Sequence, residues 1–381
     1  MNRSAHLVAG AGPAGLVAAA TLARAGQPVT VLERHPQVGH RFHGDFQGLE
    51  NWSHPADVLD RLAALGVTAD FGYRPFHEVT FYDSRLRPTS ARTERPLFYL
   101  VRRGGEPDSL DSALLRQARD AGAEVRFGET VRTIGPRGIV ATGPRAANVI
   151  AAGYTFPARL PDQAHAIVSR RLAPGGYAYL LVWDGRATLA TCMFRDLERW
   201  RAALDATVAA FTRLVPGLDL SQARPFGGHG GVLGAARYTD EGGRLYAGEA
   251  AGLQDPEWGF GMVHAMRSGA LAATSLLDAT DYAAAARARF DPAHRAGFAN
   301  RMLFEALPER LADALLRREA HRPDLRDRMT RHWAPDPVKN LAAPLAIRAI
   351  GRRLPTADTS CHEPTCTCVR CRHGRRGAAA A

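Results

Sequence analysis

Three glycines and one acid near the start of the chain have the types and spacing to hold a dinucleotide. In "HLVAGAGPAGLVAAATLARAGQPVTVLERH", His6 to His35, the glycines Gly10, Gly12 and Gly15 fall in GxGxxG spacing around Pro13 and Ala14. The first glycine permits a tight turn, the second lets a pyrophosphate approach the backbone, and the third brings a helix against a strand. The helix start supplies free N–H donors and the positive end of a dipole. Glu33 follows about 20 positions on, where a carboxylate meets the adenosine ribose hydroxyls and would repel a 2′-phosphate. NAD and FAD both carry an adenosine diphosphate half, so this unit alone leaves the choice between them open.

The elements that must position these residues are legible around them. Ala5 to Ala9 is a short apolar run ending at a glycine, as in a buried parallel strand, and Leu16 to Ala25 is a small-residue helical run. "PVTVLE" gives a second strand with Glu33 at its C-terminal end, which completes a βαβ unit.

Further along, "ERHPQVGHRF" holds Glu33, Arg34, Gly39 and Arg41, and "YLVRRGGEPDSLDSALLRQARDAGAEVRFGETV" holds Arg103 and Val131. "GIVATGPRA" holds Gly143, and "GRLYAGEAAGLQDPEWGFGMVHAMRSGALAA" holds Gly248, Glu249, Gly252, Pro256, Gly259, Gly261 and Met262. With the glycine unit, these segments resemble FAD-dependent oxidoreductases of the geranylgeranyl reductase family, within the p-hydroxybenzoate hydroxylase-like fold. The resemblance implies FAD. It puts Arg34, Arg41 and Arg103 near the cofactor, Val131 near the adenine and Gly143 at close backbone approach. It also gives Glu249, after Gly248, a ribityl hydroxyl, and lets Gly259 and Gly261 bring the helix starting at Met262 to the isoalloxazine. The physical logic is that a carboxylate accepts from a hydroxyl and a dipole end stabilises negative charge on reduced flavin. "APGGYAYLL" is similar to the reductases' Pro-x-Gly-Tyr-x-Trp segment, with Tyr179 in place of tryptophan, and implies a substrate pocket bearing Tyr177 and Tyr179. Two departures stand out: Glu249 replaces the usual aspartate, and "TGPR" replaces the Asp-Gly signature of hydroxylases.

The fold class implied is α/β: a Rossmann-like FAD-binding domain of the glutathione reductase type, an inserted antiparallel β-sheet substrate domain and a C-terminal helical region. The FAD-binding domain is expected in pieces, 1–75, 101–155 and 230–290. The substrate sheet takes 76–100 and 156–229, helices take 291–355, and a Cys-rich basic tail takes 356–381. "YAYLLVWDGRATLATCMF" predicts a hairpin turning at Asp184-Gly185, and Arg199 to Val215 has amphipathic helical spacing. Val338 to Leu354 is a docking helix interrupted at Pro344 or, with its basic edges, an interfacial helix for peripheral contact with an anionic membrane.

The resemblance implies reduction of a carbon–carbon double bond of a hydrophobic, prenyl- or isoprenoid-like substrate by hydride from reduced FAD. The alternative is an NAD(P)H-dependent flavin monooxygenase acting on an aromatic or polyketide-like substrate. No second GxGxxG unit follows, so NAD(P)H is expected to visit the flavin transiently, or an electron-donor protein replaces it. In relatives the chain after the second strand passes near flavin and substrate. Here that stretch is "RFHGDFQGLENW", and His43 is the candidate catalytic proton donor, because a histidine pKa of about 6.5 suits neutral pH. Cys192 reads as a core residue and His264 as a cofactor neighbour or a buried structural histidine.

Cys361, Cys366, Cys368 and Cys371 crowd the tail, and such thiolates close a zinc site or hold an iron–sulfur cluster, though their spacing matches no standard pattern. The net charge is +11, yet Lys339 is the only lysine among 49 basic residues. Sixteen basic against nine acidic residues lie from Arg301 onward, so the excess is C-terminal and no nucleic-acid signature accompanies it. No basic leader precedes His6 and no apolar run nears the ~20 residues of a membrane span, so a cytoplasmic protein is expected.

Overall fold

The structure, a computed structural model, describes residues 5–131, 133–144, 148–232 and 234–351. Its opening unit is β1 (His6–Ala9), α1 (Pro13–Arg24) and β2 (Val29–Glu33). Then come β3 (Phe46–Glu50), α2 (Val58–Ala63), β4 (Tyr73–Phe76), β5 (Glu78–Tyr82), β6 (Pro88–Arg92), β7 (Phe98–Arg102) and α3 (Leu110–Asp120). The middle holds β8 (Glu124–Phe127), β9 (Ile139–Val140), β10 (Val149–Pro157), β11 (Gln163–Ile167), β12 (Tyr177–Trp183), β13 (Arg186–Met193) and α4 (Trp200–Leu214). After β14 (Arg224–Gly230) and β15 (Leu245–Tyr246) the rest is helical: α5 (Met262–Leu277), α6 (Tyr282–Ala306), α7 (Glu309–Ala320), α8 (Leu325–Trp333) and α9 (Pro337–Gly351).

A parallel sheet in the order β15-β9-β1-β2-β8 carries the opening unit, as its apolar strands require, since helices cover both faces of such sheets. The helix α1 crosses α5 so closely that a Cβ on Gly269 would lie 2.0 Å from the Ala14 carbonyl oxygen. Small residues therefore set the distance between the two helices whose N-termini face the site.

The second layer is a seven-stranded sheet, β14-β10-β13-β12-β11-β5-β6, and a three-stranded sheet, β3-β7-β4, bridges the two. The hairpin turns where the sequence places it, with Asp184 at φ 50 and Gly185 at φ 69, the left-handed pair that matches strand twist. The domain cut expected at 155 falls inside β10. That strand pairs residue for residue with β13, Ile150 opposite Met193, and so belongs to the larger sheet. Likewise β7 leaves the expected substrate sheet, because all five of its residues are buried between β3 and β4.

Pro344 does not interrupt α9. A proline removes one i→i−4 bond, and Ala346 and Ile350, buried with Phe298 of α6 in one apolar cluster, together with the buried Ala343, hold the helix through that defect. Val338, Leu341 and Leu345 of α9 are exposed. Among the described residues no helix is long and apolar enough to cross a membrane.

Candidate active site

One cavity of about 1780 Å³ runs from the glycine turn to the C-terminal helices. That exceeds the roughly 300–1,000 Å³ of an ordinary small-molecule pocket, and its two ends differ in chemistry.

At the polar end, the glycines act as the spacing requires. Gly10 has φ +100, and a Cβ there would sit 2.4 Å from the Ala141 carbonyl oxygen; one on Gly15 would sit 1.9 Å from the Gly10 oxygen. Gly12 differs: its φ is −83 and a Cβ would meet nothing within 4 Å. No protein atom explains that glycine, and no side chain caps α1, so the first N–H groups of the helix face open cavity. Glu33 closes the turn, its two oxygens accepting from the backbone N–H of Ala11 at 2.8 Å and of His35 at 3.0 Å. A carboxylate keeps further lone pairs beyond two such bonds, which suits ribose hydroxyls.

Pro13, Ala14, Arg34, Arg41, Val131 and Gly143 line the same end. Arg41 spans it, with Nη1 at 3.4 Å from Glu249 Oε2 and Nη2 donating to the His229 carbonyl oxygen at 2.6 Å. Gly143, at φ +88, leaves room for that guanidinium, since a Cβ would lie 3.2 Å from Nη1. Gly248, Gly259, Gly261 and Met262 line the middle of the cavity, where α5 also begins without a side-chain cap. Two uncapped helix starts and two carboxylates therefore surround one space, a donor set that fits a flavin dinucleotide.

A model of NAD(P)-binding Rossmann-like domains matches residues 8–58. No curated protein sequence matches the chain. Among solved structures, a geranylgeranyl bacteriochlorophyll reductase-like protein from Thermoplasma acidophilum superposes with a TM-score of 0.63 at 19% identity, over 91% of this chain and 98% of that one. A flavin-dependent brominase, Bmp2, gives 0.62 at 17% identity over 91% and 98%, and p-nitrophenol 4-monooxygenase from Pseudomonas putida gives 0.60 at 16% over 87% and 98%. The chain has the p-hydroxybenzoate hydroxylase-like fold.

Within that fold, two residues have structural partners. Arg103 lines the cavity, but its charge is taken: Nε and Nη2 donate to Asp111 at 2.8 and 2.9 Å, and the guanidinium lies 4.0 Å from the Phe42 ring centroid. It fastens the Gly104 loop. His264 lies behind the cavity wall beside Phe290, and burial, reinforced by Arg267, lowers its pKa to about 3. It is a neutral structural histidine.

The other end of the cavity is aromatic. Tyr177 and Tyr179 stand on one face of β12 with ring centroids 6.0 Å apart, and Tyr177 meets Trp258 at 5.7 Å. Cys192 is opposite Tyr177 in register and lines the cavity, so it is not simply core. Burial pushes its thiol up to about 12, against a hydrogen bond with Tyr177, and it stays protonated. Trp52 packs against Phe260 at 5.0 Å and Trp333 at 5.9 Å. The helices α7 and α8, within the expected C-terminal helical region, roof this end with Leu316, Met329 and Trp333. Glu257 ties the roof to the turn before α5, accepting from Asn300 Nδ2 at 3.0 Å and lying 2.8 Å from His332 Nε2.

His43 sits at the exposed rim, its backbone N–H donating to Asp45 Oδ1 at 2.9 Å. Among the described residues no group of acids, cysteines and histidines could hold a metal ion. Cys361, Cys366, Cys368 and Cys371 lie outside the described residues.

Proposed function

We propose that the chain is an FAD-dependent oxidoreductase that reduces a carbon–carbon double bond of a hydrophobic, prenyl- or isoprenoid-like substrate, with NAD(P)H as reductant. The supporting observation is the single cavity whose dinucleotide-shaped end opens directly into an aromatic chamber. Flavin, once bound and reduced, supplies the hydride. The residues of the chain do the rest. Gly12 and the start of α1 take the pyrophosphate, Glu33 the adenosine ribose, and the Arg41–Glu249 pair the ribityl side. The start of α5 at Gly261 and Met262 places a positive dipole end beside the ring, where it favours negative charge. Tyr177, Tyr179, Trp258 and Trp333 hold the apolar substrate against that ring and exclude water.

The shared fold also supports an oxygen-using reading, because p-nitrophenol 4-monooxygenase has it. One experiment separates the two. Purified protein loaded with FAD is mixed with NADPH without oxygen, and prenyl substrates are then added. The reductase reading expects flavin absorbance to bleach and return with substrate, and the product to gain two hydrogens. Substrate turnover only after air is admitted, with an oxygen atom in the product, would replace it with the monooxygenase reading. A preparation that takes up no FAD would overturn both.

A further inference from the structure

A buried acid in the cavity wall has no part in cofactor holding. Asp45 is 2% exposed and stands at the entry to β3, between the rim loop and the chamber. Its oxygens accept from two neutral donors, the His43 backbone N–H at 2.9 Å and Gln47 Nε2 at 2.9 Å. Gln47 is oriented in turn by Arg103, whose Nη1 donates to Gln47 Oε1 at 3.1 Å. Since Arg103 is already paired with Asp111 at 2.8 Å, Asp45 has no cation of its own.

A carboxylate in such a place is costly in its charged form. Burial raises the Asp45 pKa, against its hydrogen bonds from His43 and Gln47 and the weaker pull of Arg103. The groups that share its surroundings across the chamber, Tyr179 on β12 and Cys192 on β13, are themselves held neutral by burial and add no positive charge. His43 itself is exposed at the rim.

We propose that Asp45, rather than His43, is the acid that protonates the substrate in the aromatic chamber. This role rests on the reductase reading. As hydride reaches one carbon of the double bond, the Asp45 O–H bond breaks and its proton forms the C–H bond at the other carbon. Water at the rim loop then restores the carboxyl. The position suits a proton donor, because the acid lines the chamber, is held by Gln47, and burial favours its protonated form.

The test uses Asp45→Asn and Asp45→Glu in the full chain. First, the thermal midpoint of the FAD-free protein is followed from pH 4 to 8. A raised folded-state pKa gives stability that is full below the unfolded value and is lost as pH rises toward the folded one. The wild type should therefore fall relative to Asp45→Asn across this window, and parallel curves would overturn the proposal. Second, citral, a prenyl aldehyde with a polarised double bond, is added anaerobically to enzyme reduced with NADPH. Bleaching by NADPH should be unchanged in Asp45→Asn, reoxidation by citral should fall about 100-fold or more, and Asp45→Glu should recover part of it with a shifted pH profile. Equal reoxidation in wild type and Asp45→Asn would overturn Asp45 as the acid while leaving the reductase reading intact. A wild type that NADPH does not bleach, or that leaves citral unreduced, would overturn the reductase reading and this role with it; the pH–stability difference would still stand.

Discussion

The two ends of the cavity are built by opposite means. The polar end is centred on a contiguous stretch, His6 to His35, to which Arg41, Val131, Gly143 and the turn at Gly248 and Glu249 are added, and its glycines are fixed by backbone geometry. The aromatic end draws Phe81 from β5, Tyr179 from β12, Phe304 from α6, Leu316 from α7 and Trp333 from α8, and no two of these are close in sequence. Backbone constraints act on residue type one position at a time, whereas a packed wall constrains only the sum of many side chains. The polar end should therefore fail abruptly on a single substitution and the aromatic end by degrees.

The largest effects test that contrast inside the glycine turn itself. Gly15→Val puts side-chain atoms where the Gly10 oxygen already lies 1.9 Å from a Cβ, and it should abolish soluble folded protein. In Gly12→Val the added Cβ meets no protein atom within 4 Å, and the variant should leave circular dichroism and melting of the FAD-free protein near wild type. Its loss is of FAD uptake, by 100-fold or more in a fluorescence titration. If Gly12→Val bound FAD normally, the open space before α1 would not be a phosphate site.

The same contrast explains what the sequence makes legible. Gly10 and Gly15 can be assigned without a structure because a turn and a helix–strand contact each demand no side chain at one position. Glu249 is reached only through the resemblance of the GEAAG segment, since nothing local to it demands an acid. Cys192 is not legible: strand alternation says which neighbours share its face, but not that a cavity rather than core covers that face. Asp45 looks like a polar turn residue beside His43, since nothing local reveals that Phe46, Gln47 and Arg103 draw it inward while the histidine stays at the rim. The roof is the largest omission, because the sequence marks 291–355 only as helical and says nothing of what those helices cover. Pro344 shows the limit of local rules from the other side, as packing of Ala343 and Ala346 outweighs one missing hydrogen bond.

A second prediction probes the seam between the ends. Glu50 ends β3, is 3% exposed, and its Oε2 has no hydrogen-bond partner among the described residues. Burial raises its pKa to about 7, with the carboxylate of Asp255 adding to the rise and Arg61 and Arg267 opposing it. Asp255, just before the α5 turn, is likewise raised to about 7 by burial and by Glu257. Both acids bind protons more tightly folded than unfolded, so stability is full below about pH 4 and is lost as pH rises through 7. Glu50→Gln should remove one of these losses. Relative to wild type it should gain at most about 3 kcal/mol between pH 4.5 and 8 in denaturant unfolding, with little difference at pH 4. A constant offset at all pH values would mean that Glu50 is charged in the fold and paired with Arg61.

The smallest effect belongs to the roof. Trp333 lies half-buried on α8, its ring 5.9 Å from Trp52, and α8 is otherwise anchored through His332 to Glu257. Trp333→Ala leaves that anchor and the whole polar end untouched, so FAD affinity should not change. It removes one wall of the chamber, and an apolar ligand such as citral should bind about 10-fold more weakly, the worth of part of one aromatic contact surface. The measurement is the KM for that substrate with kcat near wild type, since a wall that holds substrate and transition state alike sets binding rather than rate. Should FAD affinity fall with it instead, α8 would be bracing the cofactor turn through Trp52 and Phe260, and the two ends would be one mechanical unit rather than two.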